Sequence, residues 1–314
     1  MNSTRSAYIS IIIYSVIIGF SFLFVKLALT AASPLDSLAH RFTISLIAAT
    51  IPLLFGWIKI SIKPKDILRL LPLGLFYPSM FFAFQAFGLQ YTSSAEAGII
   101  HATVPIFTMI AAAYFLKESS TLLQRLSTLL SVAGVIFLFA MKGIALDLTN
   151  IKGTLLILLS AVSISAYSVL ARKLSQRMKV MDMTYVMTAI GFIVFNLLSV
   201  SKHINEGTLS RFFEPFAHPI FIVSMIYLGV LSSLISSLLS NYALSKVEAS
   251  KVSVFNHLAT LVSIAGGFLF LGEQLAYYHF IGAAIIIVGV VGTNVSALRQ
   301  ANRKSPLKSP VSPK

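Results

Sequence analysis

Ten long apolar runs follow one another along the chain, at residues 7–30, 37–58, 67–90, 94–116, 122–141, 152–171, 182–200, 218–242, 249–271 and 277–298. Each is near the roughly 20 residues that an α-helix needs to cross the hydrocarbon of a bilayer. The polar segments between them are short; only 201–217 is longer, and nothing in it would fold alone. The pattern predicts an all-α integral membrane protein with ten transmembrane helices. The first run exceeds the roughly 7–15 apolar residues of a signal peptide, so it reads as the first span and not as a cleaved leader.

Composition supports lipid as the solvent. Hydrophobic residues make up 57% of the chain and charged residues 11%, with a mean hydropathy of +0.88. A water-soluble domain carries roughly 25% charged residues. The net charge of +14 would suggest nucleic acid on a soluble protein. Here the basic residues sit in the gaps between apolar runs, so no nucleic-acid partner is expected. With the N-terminus placed inside, the inner segments hold eighteen Lys and Arg and the outer loops four, leaving Lys26 and Arg41 toward the outer ends of spans 1 and 2. That asymmetry predicts a multi-pass protein of the cell membrane with both termini cytoplasmic and anionic lipid headgroups as partners of the inner face. The absence of cysteine excludes disulfides and thiolate metal sites.

The two halves repeat. A shift of 155 residues brings Leu89 onto Leu244, Phe115 onto Phe270, Leu116 onto Leu271, Glu118 onto Glu273, Gly134 onto Gly289 and Val135 onto Val290. This reads as a duplicated five-helix unit, 1–145 and 146–298, followed by a disordered basic cytoplasmic tail, 299–314. Five is odd, so the second unit enters the membrane from the opposite face. Two inverted five-helix repeats are a common build of secondary transporters, with the site between the halves. Glu118 and Glu273 each close an apolar run at a tight turn. They suit helix-turn anchors in the headgroup zone, Glu118 just ahead of a capping-box spacing from Thr121 to Gln124. A coupling carboxylate is the alternative.

The segments around these turns resemble a known family. SPLDSLAHRF at 33–42, FLFVKLAL at 22–29, VPIFTMIAAAYFLKE ending at Glu118 and GGFLFLGEQ at 266–274 are similar, in order, to the EamA type of the drug/metabolite transporter superfamily. The second copy departs from the pattern: Thr260 stands where the proline would be, which argues against a kink in span 9, and Lys117 replaces the glycine seen at Gly272. The resemblance implies a ten-helix, exporter-like carrier of small metabolites, amino acids or related compounds among them.

A charge at the bilayer centre costs from about 2.5 kcal/mol upward, so polar groups inside the spans need a reason. Span 8 carries two serine stripes, Ser232–Ser236–Ser240 and Ser233–Ser237–Asn241. Serine at this spacing lets helices pack closely, and it can also line a substrate path. His101 and Asn256 are repeat-equivalent, as a central cavity would require; each can instead bond a neighbouring helix. Gln85 and Tyr167 complete the substrate-binding candidates. Lys26, Arg41 and Glu96 read either as an outer gate or as a structural charge clamp. Pro72, Pro78 and Pro105 free backbone carbonyls and can kink their spans.

Rival functions lack their signatures. No G-x-x-x-x-G-K-[ST] is present for nucleotide, no H-E-x-x-H or G-x-S-x-G for hydrolysis, and no soluble domain for a sensor or assembly subunit. The chain is therefore expected to be no enzyme, to hold no cofactor or metal, and to move a small-molecule substrate by alternating access. A proton is the candidate coupling ion, and His101, a side chain that can titrate near neutrality, the best single candidate to handle it.

Overall fold

The computed structural model describes residues 3–118, 120–142, 148–272 and 276–303. Among these every regular element is helical. Joining halves across internal breaks gives α1 (Ser3–Ala28), α2 (Pro34–Leu54), α3 (Pro64–Gly88), α4 (Ser94–Phe115), α5 (Leu122–Lys142), α6 (Leu148–Leu174), α7 (Val180–Glu206), α8 (Pro219–Lys246), α9 (Ala249–Leu271) and α10 (Tyr277–Arg303). Eight of them, α1–α4 and α6–α9, have the length and apolarity to cross a membrane. Among the described residues, eight of the ten expected spans meet both criteria. Helix α7 extends to Glu206, where Gly207 stops it in the left-handed conformation, so the expected 201–217 loop starts later and holds two short 3-10 turns. Glu273 and the tail beyond Arg303 lie outside the described residues.

Polarity is distributed inside out. On α7, Ile193 and Leu197 face outward while Thr184, Thr188 and Ser199 are buried. On α8, Ile222, Val223 and Ile226 are exposed while Ser224, Ser232, Ser233, Ser236 and Ser237 are buried. A lipid solvent rewards this arrangement. Many buried hydroxyls are satisfied by the carbonyl one turn back, as in Ser15 to Ile11 and Ser163 to Leu159.

Four helices are broken, at repeat-related places. Segment Leu75–Met80 of α3 is a kink, with Tyr77 extended at φ −146° and ψ 118°, and segment Tyr227–Ile235 of α8 is π-helical. The 155-residue shift lays the first on 230–235, inside the second, and Gly74 on Gly229. In α3 the cause is Pro78, which has no N–H for the Gly74 carbonyl; the Ser79 hydroxyl donates to that oxygen instead, at 2.9 Å. Helix α4 tightens between His101 and Val104, ahead of Pro105, and Thr103 Oγ1 donates to the Ile100 carbonyl at 2.7 Å.

Helix α9 breaks as well, between Ser253 and Asn256, although it has no proline. The expectation against a kink there is corrected. The His257 amide turns to the Val254 carbonyl, and the Asn256 amide donates to the freed Ser253 carbonyl at 2.9 Å. A side-chain amide does what proline chemistry does in the first copy.

The halves pack through matched pairs. Helices α2 and α7, α4 and α9, and α5 and α10 are each repeat equivalents in contact. Helix α1 packs on α8 and α9, as α6 packs on α3 and α4; α2 meets α8 as α7 meets α3. Close approach of α5 and α10 needs Gly134 and Gly289: a Cβ on the first would stand 3.1 Å from the Gly282 carbonyl, and on the second 2.6 Å from that of Ser127.

Candidate functional site

Helix α2 opens with Ser33, whose hydroxyl accepts the Asp36 amide, and with Pro34 in the first turn. Arg41 follows about 10 Å along the helix, at 1.5 Å per residue. Its backbone lies against α8 at Gly229, where a Cβ would stand 2.9 Å from the Arg41 carbonyl oxygen. From there the side chain reaches the π-helical middle of α8. Nε donates to Ser233 Oγ at 2.7 Å and Nη2 to Ser232 Oγ at 2.8 Å. The guanidinium carbon lies 3.8 Å from the centroid of the Phe82 ring. Arg41 is 1% exposed, and no carboxylate among the described residues stands within 4 Å of it. Its position is thus the middle of α8, not the outer end of the bundle that the sequence suggested.

The second serine stripe extends the polar file. Ser237 Oγ lies 2.5 Å from the Ser233 carbonyl and 3.1 Å from the Tyr77 hydroxyl, and bonds both. The Tyr77 ring stacks on Tyr167 with centroids 4.6 Å apart. Tyr167 donates to Asn241 Oδ1 at 2.9 Å, and Asn241 Nδ2 donates to Thr184 at 3.0 Å. All these side chains are buried. The file joins α2 and α3 of the first repeat to α6, α7 and α8 of the second. Of the sequence candidates, Tyr167, Ser233, Ser237, Asn241 and Arg41 come together here.

The others do not join them. His101 bonds Ser160 of α6 at 2.7 Å, with Phe22 and Phe81 edge-on at 5.1 and 5.7 Å. Phe81 and Phe82, 4.7 Å apart, connect this pocket to the Arg41 file. Gln85 stands one turn along α3 from that ring pair, and both its amide atoms are buried without a hydrogen-bond partner. Asn256 caps its own helix break, and the adjacent His257 is buried with Nδ1 unpartnered. Lys26 lies in the last turn of α1. Glu96 lies in the first turn of α4 and forms a reciprocal capping box with Ser93.

Sequence reasoning missed Tyr77, Phe82, Ser160 and Thr184. Tyr77 and Phe82 sit in the phenylalanine-rich stretch 76–88, which is dense enough to line a path but suits lipid contact as well, so neither residue stands out in it. Thr184, near the start of α7, and Ser160 resemble ordinary helix hydroxyls until their partners on other helices are known.

Comparison with known proteins gives this geometry a family. The profile of the EamA-like transporter family matches residues 5–140 and again 151–295, one match per repeat. The chain belongs to the EamA-like transporter family. An uncharacterized transporter of Bacillus subtilis, YcxC, is 55% identical over 95% of both chains. An uncharacterized transporter of Archaeoglobus fulgidus is 26% identical over 87% of this chain and 92% of its own. One solved crystal structure superimposes with a TM-score of 0.70 at 20% identity, over 95% of this chain and 98% of that one. It shares the fold.

In this EamA-like transporter the family's short acidic turn, at Glu118, has a definite partner. Glu118 Oε1 accepts the Ala249 amide at 3.1 Å, and Oε2 accepts the Ser250 amide at 3.2 Å and the Ser250 hydroxyl at 2.8 Å. The turn after α4 therefore caps the N-terminus of α9 in the other repeat. An apolar cavity of about 540 Å³ lies beside this end of the molecule, lined by Phe76, Phe107, Tyr114, Val169 and Lys173 among others. None of the sequence candidates lines it. No cluster of three or more His, Asp or Glu suited to a metal ion occurs among the described residues of this EamA-like transporter.

Proposed function

We propose that this membrane transporter is a secondary carrier that exports small metabolites, such as amino acids or related polar and amphipathic solutes, by alternating access between two inverted repeats. In this reading α5 and α10 cross the membrane beside the other eight helices, both termini are cytoplasmic and the location is the cell membrane. One observation carries the proposal: a buried polar file, anchored by Arg41, runs through the interface of the two repeats. A globular core would be cheaper without it, since a buried polar group gains little over an apolar one of the same shape. The broken helices support the same reading. A break loosens a helix's internal bonding, and here the breaks lie in α3 and α8 beside the polar file and in the adjacent helices α4 and α9.

Substrate contacts in this proposal are Gln85, His101, Tyr167, Ser233, Ser237 and Asn241, with Asn256 holding the α9 break. Lys26 and Glu96 stand at the ends of α1 and α4, which are in contact, and serve as an outer gate. A proton is the candidate coupling ion, with His101, in the pocket next to the Arg41 file, as its carrier. Counterflow in proteoliposomes tests the reading with a panel of labelled metabolites. Movement without chemical change is expected. Product formation, or no movement of any solute, would replace it with the enzyme or sensor alternative.

A further inference from the structure

The geometry points to Arg41 as the recognition residue for a carboxylate on the transported solute: the site takes small organic carboxylates with an apolar or aromatic body, and not their amides or amine counterparts. The inference rests on the transporter reading and narrows its substrate class.

The argument begins with charge balance. Arginine remains protonated in proteins, and its fork of donors matches a carboxylate two bonds at a time. A buried arginine is ordinarily paired for that reason. Arg41 is buried at the repeat interface, yet among the described residues its hydrogen-bond partners are the hydroxyls of Ser232 and Ser233 alone. The described acids are committed elsewhere or stand away. Asp36, five residues earlier on α2, is held by Ser33, Ser199 and His203. Asp182 accepts the Ser61 amide, and Glu118 caps α9. Among the described residues, the centre of the molecule therefore carries a fixed positive charge with neutral company.

The neighbours fit a carboxylate with an apolar body. Serine hydroxyls are exchangeable partners: a carboxylate offers Arg41 charge-assisted bonds roughly twice as strong as neutral ones. The guanidinium rests on the Phe82 ring, and the stacked Tyr77–Tyr167 pair begins one serine away. These rings give an apolar solute body a flat surface with hydroxyl tips. Gln85, one turn beyond Phe82, adds an independent sign of a ligand surface, since both ends of its buried amide lack a partner. Both serines that hold Arg41 belong to the π-helical part of α8, a kind of segment found frequently at functional sites.

The test uses matched pairs on the purified full-length protein: benzoate against benzamide, phenylacetate against phenylacetamide and isovalerate against isovaleramide. Thermal shift reports binding, and proteoliposome counterflow reports movement. The carboxylate of at least one pair should raise the melting temperature, and its amide should bind roughly 10- to 150-fold more weakly, the range for losing hydrogen bonds to a charged group. Arg41→Met should abolish the carboxylate shift while the unliganded protein still melts cooperatively. If that variant does not fold, the comparison on the unaltered protein decides alone. Equal stabilisation by acid and amide, or no response to any of the three acids, would overturn the assignment of Arg41. The two readings fail separately. Carboxylate binding without movement of any solute removes the transporter reading and keeps the anion site; movement of solutes with no carboxylate preference does the reverse.

Discussion

Glu118 of the first repeat and Ser250 of the second are joined at 2.8 Å, so an acid in a turn of one half of the chain caps a helix of the other. The bond spans 132 residues and ties the α4–α5 turn to the N-terminus of α9. Replacing Glu118 by Gln keeps the shape and one acceptor oxygen but removes the charge. A cap is worth roughly 0.5–2 kcal/mol. Glu118→Gln should therefore lower the melting temperature of the detergent-solubilised protein, and Glu118→Ala should lower it further. Under the 155-residue shift the counterpart is Glu273, and the duplication predicts a matching cost for Glu273→Gln. No change in melting for Glu118→Ala would remove the capping role.

Lys117, just before that acid, adopts φ +55°, and its repeat equivalent Gly272 adopts φ +66°. Glycine holds this left-handed conformation without steric cost, while a residue with a Cβ loses about 1–2 kcal/mol there. Lys117→Gly is expected to stabilise the protein, and Gly272→Ala to destabilise it by a similar amount. Thermal melts of the two variants check both signs.

Gly74 and Gly229 are also repeat equivalents, yet their substitutions should differ. A Cβ at Gly74 meets the δ-methyl of Ile190 at 2.6 Å, a flexible tip that can turn away. At Gly229 it meets the Arg41 carbonyl at 2.9 Å, which is backbone. Gly229→Ala must push α2 off α8 and shift Arg41, an overpacking cost of about 1–3 kcal/mol. Counterflow should fall sharply for Gly229→Ala and remain near normal for Gly74→Ala. Equal activity of the two would mean that the Arg41 contact tolerates movement.

Tyr167 donates its hydroxyl to Asn241, which in turn donates to Thr184. Tyr167→Phe keeps the ring stack on Tyr77 and leaves a buried amide oxygen unsatisfied, at about 1–3 kcal/mol. Asn241→Leu strips both neighbours of their partner and should cost more. Melting temperatures of the single variants and of the pair give the coupling: the double variant should cost less than the sum of the singles. Strict additivity would show that the file is not one network.

The orientation is open to labelling, because the chain has no cysteine of its own. Exposed positions Lys65 and Asn205 lie on segments assigned to opposite sides. In intact cells a membrane-impermeant maleimide should label Asn205→Cys, and should reach Lys65→Cys only after permeabilisation. Labelling of both from one side would break the topology.

The sequence was most informative where one local property sufficed. Apolar runs near span length located the helices, because lipid leaves the backbone no other way to satisfy its hydrogen bonds. Pro78 and Pro105 announced breaks in α3 and α4 because a missing N–H is visible in one letter. The break in α9 was hidden, since Asn256 makes it with a side-chain bond that the residue type alone does not imply.

Sequence by itself determined the solvent, the duplication and the inventory of polar groups that a membrane protein must justify. Tertiary structure decided which of those groups meet. Arg41 read as an outer charge from its place near the start of a span, but the close approach of α2 to α8 at Gly229 carries it to the middle of the bundle. Glu118 read as an anchor for its own turn and caps a helix of the other repeat instead. The physical reason is the same in both cases. Helix formation depends on neighbours along the chain, whereas the partner of a buried charge depends on which helices pack face to face.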